Sequence, residues 1–575
     1  MKSTEWSSES RLSRRAFLKS ASLATAALGI GMSAGADNAA RRPDILFIMS
    51  DDHCANAIGA YGSRLAALDP TPTLDSLARE GMLFENCFCV NSICSPSRAT
   101  ILTGQHSQAN GVLVLEQPLP PERQYLPTLM GQAGYETALI GKWHLREEPA
   151  AFEYYKVLPG QGRYFDPIFH ESTRGAYPNN RIEEKGHSSD VMADSAIAWL
   201  AGRTSEKPFF LCLHFKAAHG PWQNAPRYDS WLEDVEVPYP DNLFETGGHG
   251  SIATRGDGDE LARYIGTSIG LRHPLRNMAG QLEIEAAGGE ESTLKAAYQL
   301  YLKRYLRCIR GIDDNVKRVL DYLRESGRLD STLIVYTSDQ GMFLGEHDYF
   351  DKRWMYEESM RMPLIVRYPR GVAAGARSDA LIDNTDFAPT LLDFAEAEAP
   401  GFMHGRSFRP ILESGEEPEG WRDAVYYRYW MHLDSHYNPA HFGVRTKRFK
   451  LIFFYGSGYK AEGVRTPPGW ELYDLEADPF EMNNVYGRPE YAEIAESLKR
   501  RMLELREQLN ETDAAYPRIQ AIIDRHWTTT PESVAEAVEI SHAAKRQFDQ
   551  EAEAAGSPRK SAPRGQSANS AANPE

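Results

Sequence analysis

Four apolar runs of strand length, Asp44 to Met49, Glu136 to Ile140, Pro208 to Phe215 and Thr332 to Thr337, alternate with segments of helical periodicity. That alternation restricts the chain to an α/β sheet with helices on its faces. Each run also gives way to polar residues: Asp51-Asp52 after the first, Lys142-Trp143-His144 after the second, His219 after the third and Asp339-Gln340 after the fourth. Ligands of open α/β sheets bind beyond the carboxyl ends of the strands, so four segments distant in sequence are expected to converge on one crevice. Leu294 to Ser326 reads as a long helix, with Tyr298, Tyr301, Tyr305, Ile309, Ile312, Val316, Val319 and Leu323 forming its core-facing stripe.

The pattern changes after about Trp421. Short runs at Val425 to Arg428, Phe442 to Thr446, Phe449 to Tyr455 and Glu471 to Leu475 precede a helix pattern from Glu493 to Leu509, which predicts a smaller antiparallel-sheet subdomain over 421–530. The larger α/β domain over 37–420, in which the crevice and so the catalytic function are expected, precedes it. Within that domain Thr246 to Glu291, rich in Gly and charge, reads as an insertion at the rim of the site. Residues 531–575 are expected to form a disordered tail, with Ser, Pro, Ala, Asn and Gly dominating from Gly556.

The first 36 residues read as a leader. Ser13-Arg14-Arg15-Ala16-Phe17-Leu18-Lys19, the apolar stretch Ala21 to Met32 and then Ala34-Gly35-Ala36 resemble a twin-arginine export signal with its cleavage site. The apolar stretch is shorter than the roughly 20 residues a membrane span requires, so no stable span is expected. Without residues 1–36 the chain keeps 58 Lys plus Arg against 78 Asp plus Glu, a net charge of −20, which argues against a nucleic-acid partner. The same surplus repels anions at long range, so a site for an anion needs local positive charge. Six cysteines, at 54, 87, 89, 94, 212 and 308, show neither disulfide-framework density nor zinc-ligand spacing.

Cys94-Ser95-Pro96-Ser97-Arg98 precedes the helix-like run Ala99-Thr100-Ile101-Leu102. Pro96 at a first helical position, capped by Ser95, would place Cys94 at a helix N-terminus, where free N–H groups and the macrodipole favour an anion. A tyrosine-phosphatase loop does not fit, since it needs five residues between Cys and Arg and three stand here. Asp51, Asp52, Asp339 and Gln340 are hard oxygen ligands, a set suited to calcium, with magnesium also admitted, rather than to zinc. Lys142, Lys352 and Arg98 supply the required positive charge. His214 and His219, five residues apart, do not reproduce a helical zinc pair.

From Pro43 to about Val485 the chain resembles the formylglycine-dependent sulfatases of the alkaline phosphatase superfamily. The resemblance rests on Asp51-Asp52, the Cys94 pentapeptide, Lys142 to His144, His219 with Pro221, Thr337 to Gly341, Lys352, and Glu471 to Leu475 with Asp478-Pro479. It implies a large mixed, mostly parallel central sheet and a Cys94 converted by a formylglycine-generating maturation enzyme to 3-oxoalanine, whose hydrate attacks sulfur. It further implies a metal held by Asp51, Asp52, Cys94, Asp339 and Gln340, sulfate bound by Lys142 and Lys352, and catalysis by Cys94, Arg98, His144 and His219. His219 rather than His214 is assigned to the site, as the acid that protonates the leaving alcohol, with His144 as the base. Gln340 departs from the Asn or His of many relatives but keeps an oxygen.

Twin-arginine export carries folded proteins, so maturation in the cytoplasm and delivery to the periplasm or beyond are expected. The aromatic and basic cluster Tyr426, Tyr427, Tyr429, Trp430, His432, His436, His441 and Arg445 reads as a sugar-binding surface or as subdomain core, and on the first reading the substrate is a sulfated carbohydrate. Two other functions fit the same residues: a phosphodiester or phosphonate monoester hydrolase, and an exported glycan-binding protein whose Cys94 stays a thiol.

Overall fold

The computed structural model describes residues 42–556 except 116, 245–248, 286–287 and 461–464. The leader expected over 1–36 and the chain beyond 556 lie outside the described residues. Ten strands build the main sheet: β1 (Asp44–Ser50), β2 (Met82–Phe84), β3 (Glu136–Lys142), β4 (Tyr154–Leu158), β5 (Ile168–Glu171), β6 (Arg181–Glu183), β7 (Phe209–His214), β8 (Thr332–Ser338), β9 (Leu364–Arg367) and β10 (Ala376–Ser378). Their spatial order is β10-β2-β9-β8-β1-β7-β3-β4-β5-β6.

The four apolar runs are the strands β8, β1, β7 and β3, side by side and parallel, with Ile45 registered against both Phe210 and Leu333, and Ile140 against Leu213. Every residue of β1, β7 and β8 is buried, as a strand covered on both faces demands, and this is why these segments read as unbroken apolar runs. Parallel neighbours end at one edge, so the polar residues that follow them meet there. Antiparallel pairing is confined to the flanks, where β9 joins β8 and β2, and β5 joins β4 and β6.

Two helices matter for the site. The helix α1 (Cys94–Thr103) is buried at every residue. The long α2 (Glu290–Glu325) buries the whole predicted stripe and begins a turn earlier than the apolar pattern indicates, with Glu290 and Glu291 complementing the positive end of its dipole.

The C-terminal sheet is the antiparallel meander β11 (Ala424–Tyr429), β12 (His441–Thr446), β13 (Phe449–Phe454) and β14 (Gly469–Asp474), followed by a helix over Ala492–Gln508. It is not a separate core. Residues of β1, α1 and β11 to β14 belong to one continuous apolar cluster.

The disordered tail expected over 531–575 is corrected in part, because Pro531–Gly556 forms the helix α3. Its buried face is Ser533, Ala537, Ser541, Ala544 and Phe548, a helical spacing made mostly of small or polar residues, so little hydrophobic signal marks it. Phe548 stacks on Tyr264 at 5.4 Å, the Tyr264 hydroxyl bonds Asp549, and Ser541 Oγ donates to Glu260 at 2.7 Å. The inserted segment is thereby pinned between α3 and the body. On its inner side it lies along 347–353, where Arg272 pairs with Asp348 at 3.0 Å and Ile269 N–H donates to the Asp348 carbonyl at 2.9 Å. No described helix is long and apolar enough to cross a membrane.

Candidate active site

Beyond β1 the chain turns at Asp52, whose φ of 61° is a left-handed conformation that Asp tolerates better than most residues. Asp51 and Asp52 are both buried beneath the sheet edge. Beyond β8, Asp339 and Gln340 come alongside, with Asp52 N–H donating to Asp339 Oδ1 at 3.1 Å and the Gln340 amide bonding Asp52. Lys142 ends β3. Gly141 before it has φ 111°, and a Cβ there would sit 1.9 Å from the His214 carbonyl oxygen, so only glycine lets β3 pass β7 this closely. Lys142 Nζ bonds Asp51 and donates to Gln161 Oε1 at 2.5 Å.

Cys94 is the first residue of α1, and its Sγ lies 3.4 Å from Asp51 Oδ1. The expected cap differs: Ile93 is the N-cap, Pro96 lies inside the first turn, and Ser95 Oγ donates to the His144 carbonyl at 2.7 Å. The helix starts earlier because Ser97 bonds the Asp339 carbonyl and accepts from Asn384 Nδ2 at 2.8 Å, which ties the first turn to two neighbouring segments. Arg98 donates from Nε and pairs through Nη2 with Asp339 Oδ2, at 3.0 and 2.9 Å, and donates from Nη1 to the Lys142 carbonyl at 2.9 Å.

Lys352 Nζ donates to Asp52 Oδ2 at 2.7 Å. His219 approaches the same oxygen with Nε2 at 3.9 Å, while its Nδ1 bonds the Gly220 carbonyl at 2.9 Å. His144 adopts φ 56°, a left-handed conformation that ends the extended course of β3. His144 Nδ1 is buried without a partner among the described residues. His214 is structural: its Nδ1 lies 3.3 Å from the Lys142 carbonyl and its ring packs against Phe47.

Burial and the neighbouring Asp51 push the Cys94 thiol up, so the encoded side chain is a protonated thiol with little nucleophilic character. Burial also raises Asp51, but Lys142, His219, Arg98 and Lys352 outweigh it and hold that carboxyl well below its ordinary range. Burial followed by Asp51 lifts Asp339 to about 7. Burial, with Lys142 next, drops His144 to about 2, and burial with Lys352 presses His219 well below its usual value. Both imidazoles are therefore neutral in the ligand-free protein.

The donor set fits a hard divalent cation. Carboxylate oxygens of Asp51, Asp52 and Asp339 lie within 4.8 Å of one another, and Gln340 Oε1 is buried beside them with no hydrogen-bond partner. All four donors are oxygen, the preference of calcium or magnesium. Cys94 Sγ and His219 also come within 4.8 Å of Asp51, so the nucleophile position borders the same point. Three carboxylates face the three cations Lys142, Lys352 and Arg98, and a bound divalent ion would leave this balanced cluster positive. That is the local charge the acidic chain needs to hold an anion.

A cavity of about 320 Å³ opens over Asp52, His219 and Lys352. Its far wall contains Asp351, Arg353 and His436, and the inserted segment contributes Arg276, Gln281 and Leu282. A groove of about 360 Å³ on the outer faces of Pro72–Glu80 and α2 contains none of the site residues, so chemistry and not volume locates the centre. The aromatic cluster resolves against the sugar-surface reading. Tyr426, Tyr427, Tyr429, Trp430 and His441 are buried core, Arg445 pairs with Glu357 at 3.2 Å, and His436 alone of those eight lines the cavity.

Sequence reasoning missed Gln161, Ser97, Asn384 and the cavity wall. Gln161 was within reach, because it follows β4, which is parallel to β3 and ends at the same edge. Asn384 and Arg276 sit on irregular segments whose approach depends on tertiary packing.

Comparison with known proteins agrees with this geometry. The sulfatase family model matches residues 43–397, and a model for the C-terminal region of N-sulphoglucosamine sulphohydrolase matches 345–508. The chain is similar to an N-acetylglucosamine-6-O-sulfatase of Bacteroides thetaiotaomicron, 39% identical over 82% of this chain and 88% of that protein. It is also similar to an arylsulfatase of Clostridium perfringens, 26% identical over 80% of this chain and 93% of that one. A solved structure described as in complex with its substrate D-glucosamine-2-N,6-O-disulfate superposes with a TM-score of 0.72 at 38% identity, covering 82% of this chain and 99% of that one.

Proposed function

The chain belongs to the sulfatase family, and from that premise we propose that it removes a sulfate ester from a glucosamine-type sugar, using an aldehyde made from Cys94 and a divalent cation. The observation that carries this reading is the convergence of Cys94, three carboxylates and three cations in one buried cluster, two members of which, Asp52 and Lys352, line the cavity with His219. A relative 39% identical is an N-acetylglucosamine-6-O-sulfatase and a structure 38% identical is solved with D-glucosamine-2-N,6-O-disulfate, which supports the sugar class.

Asp51, Asp52, Asp339 and Gln340 would hold the cation, which when bound supplies positive charge against the sulfo group. Cys94 oxidised to formylglycine supplies a hydrated aldehyde as an oxygen nucleophile in place of the inert thiol. Lys142 and Lys352 bind the sulfuryl oxygens and offset the charge that develops on them. Arg98, locked between Asp339 and the Lys142 carbonyl, holds the first turn of α1 and so orients residue 94. His219 commits Nδ1 to Gly220, so it protonates the leaving alcohol through Nε2, the nitrogen 3.9 Å from Asp52 Oδ2. A bound anion restores the basicity that burial removes. His144 receives a proton from residue 94 at its unpartnered Nδ1.

The reading includes maturation by a formylglycine-generating enzyme before export, and residence in the periplasm or outside the cell. Sulfate release from N-acetylglucosamine-6-sulfate, measured beside an aryl sulfate and an aryl phosphate, tests it. The sugar and aryl sulfates should be cleaved and the phosphate spared by at least about a hundredfold. A faster phosphate would sink the assignment.

Two further outcomes are expected. Chelation should abolish sulfate release, and calcium should restore it while raising the thermal midpoint, since a ligand bound only by the folded state stabilises by about 2.7 kcal/mol at a hundredfold excess over Kd. Calorimetry showing no shift with calcium or magnesium would remove the metal. Truncation after Thr530 deletes α3, which pins the inserted wall of the cavity. KM for the saccharide should rise about fivefold or more, while kcat for an aryl sulfate changes less than about twofold. Unchanged saccharide KM would show that α3 does not position that wall.

A further inference from the structure

The cavity has more positive charge than one sulfo group uses. Of its carboxylates, Asp52 is taken by Lys352 at 2.7 Å and Asp351 by Arg353 at 2.8 Å. Two arginines remain. Arg276, from the inserted segment, donates through Nη2 to His436 Nε2 at 2.8 Å, and its Nε is buried with no partner. Arg304, one α2 position before Tyr305, makes no hydrogen bond or ion pair with any described residue, yet lines the same cavity. Neither has a carboxylate within ion-pair distance among the described residues. A guanidinium held toward a partly desolvated cavity without a counter-ion is costly unless the ligand supplies one, and its planar fork matches an oxyanion.

Resting on the sulfated-saccharide reading, we propose that Arg276 and Arg304 form a second anion subsite, which reads a sulfo or carboxylate group carried elsewhere on the same saccharide. The scissile group sits on the Lys142 and Lys352 side, so the second charge is read where Arg276 and Arg304 line the same cavity. The insertion then acts as a specificity element, and its charge explains how a strongly acidic protein selects a multiply charged substrate.

The test compares kcat/KM for wild type, Arg276→Gln and Arg304→Gln on three substrates. These are N-acetylglucosamine-6-sulfate, D-glucosamine-2-N,6-O-disulfate, and a 6-sulfated N-acetylglucosamine linked to a uronic acid. Wild type should favour at least one of the latter two over the first by about tenfold or more, and each variant should lose most of that ratio. Which doubly charged substrate is favoured identifies sulfo or carboxylate as the group read. Arg304→Gln is the cleaner variant because no internal bond is broken. Equal wild-type rates on all three, or a ratio that survives both substitutions, would overturn the subsite. Should no saccharide be cleaved while an aryl sulfate is, the sugar assignment itself has failed as a substrate claim. Inhibition of aryl sulfate turnover then reports the same ratio: a tenfold tighter effect of a doubly charged sugar upholds the subsite, and equal inhibition removes it.

Discussion

Cys94→Ala should lose sulfate release by on the order of 10⁴-fold or more while folding normally. The expectation is large because the thiol that occupies this position is held protonated by burial and Asp51, so no other group in the cluster can replace the nucleophile made from it. Asp51, Asp52 and Asp339 are committed to Lys142, Lys352 and Arg98. The fold should tolerate the change, since among the described residues the Cys94 sulfur makes two weak hydrogen bonds, to Asp51 at 3.4 Å and from the Gln340 amide at 3.8 Å. A thermal midpoint within a few degrees of wild type is the control. Turnover within tenfold of wild type would refute the nucleophile. Mass spectrometry of the peptide containing Cys94 from natively exported protein separates the remaining reading, because an unmodified thiol marks a binding protein and a lighter aldehyde marks the enzyme.

Asp51→Asn is expected to have the next largest effect, on both activity and stability. Asp51 accepts from Lys142, lies near Arg98 at 3.8 Å and is held well below the ordinary carboxylate range by the charged groups around it, Lys142 foremost, so it is an anion on which the cluster depends. Neutralising it strands the fully buried Lys142 ammonium, and breaking a buried pair from one side costs about 3–5 kcal/mol. It also removes one of the three carboxylates proposed for the cation. We expect kcat/KM to fall by about a thousandfold or more. The thermal midpoint should drop, and the stabilisation by calcium should vanish. A variant that keeps the calcium-dependent shift would place the metal elsewhere.

The site was legible to the extent that its residues follow strands. Asp51, Lys142 and Asp339 could be named because a parallel strand buried on both faces is an uninterrupted apolar run whose polar continuation lies at the ligand edge, and His219, three residues past Lys216, needed the family pattern with Pro221 besides. The aromatic cluster of β11 to β12 misled for the opposite reason. Tyr427 and His441 are as amphipathic as sugar-binding residues, yet the meander folds them inward, where they stack at 5.5 Å. Composition does not distinguish the two faces of a sheet whose register is unknown. α3 escaped because its buried face, Ser533, Ala537, Ser541 and Ala544, is small or polar, and Ser541 meets Asp257 and Glu260 of the insertion only once both segments are in place.

The sequence by itself determined that Asp51, Asp52, Lys142, Asp339 and Gln340 stand at the ends of buried strands, while Cys94, Arg98 and Lys352 were named from the resemblance to the sulfatases. Local periodicity and strand-end position are encoded within a few residues, so they survive in one dimension. Only the tertiary structure decided the shape and charge of the cavity wall. Arg276 from the insertion, Arg304 from α2, and Arg353 with His436 from two further segments meet there by long-range packing, and no spacing within the chain records that meeting.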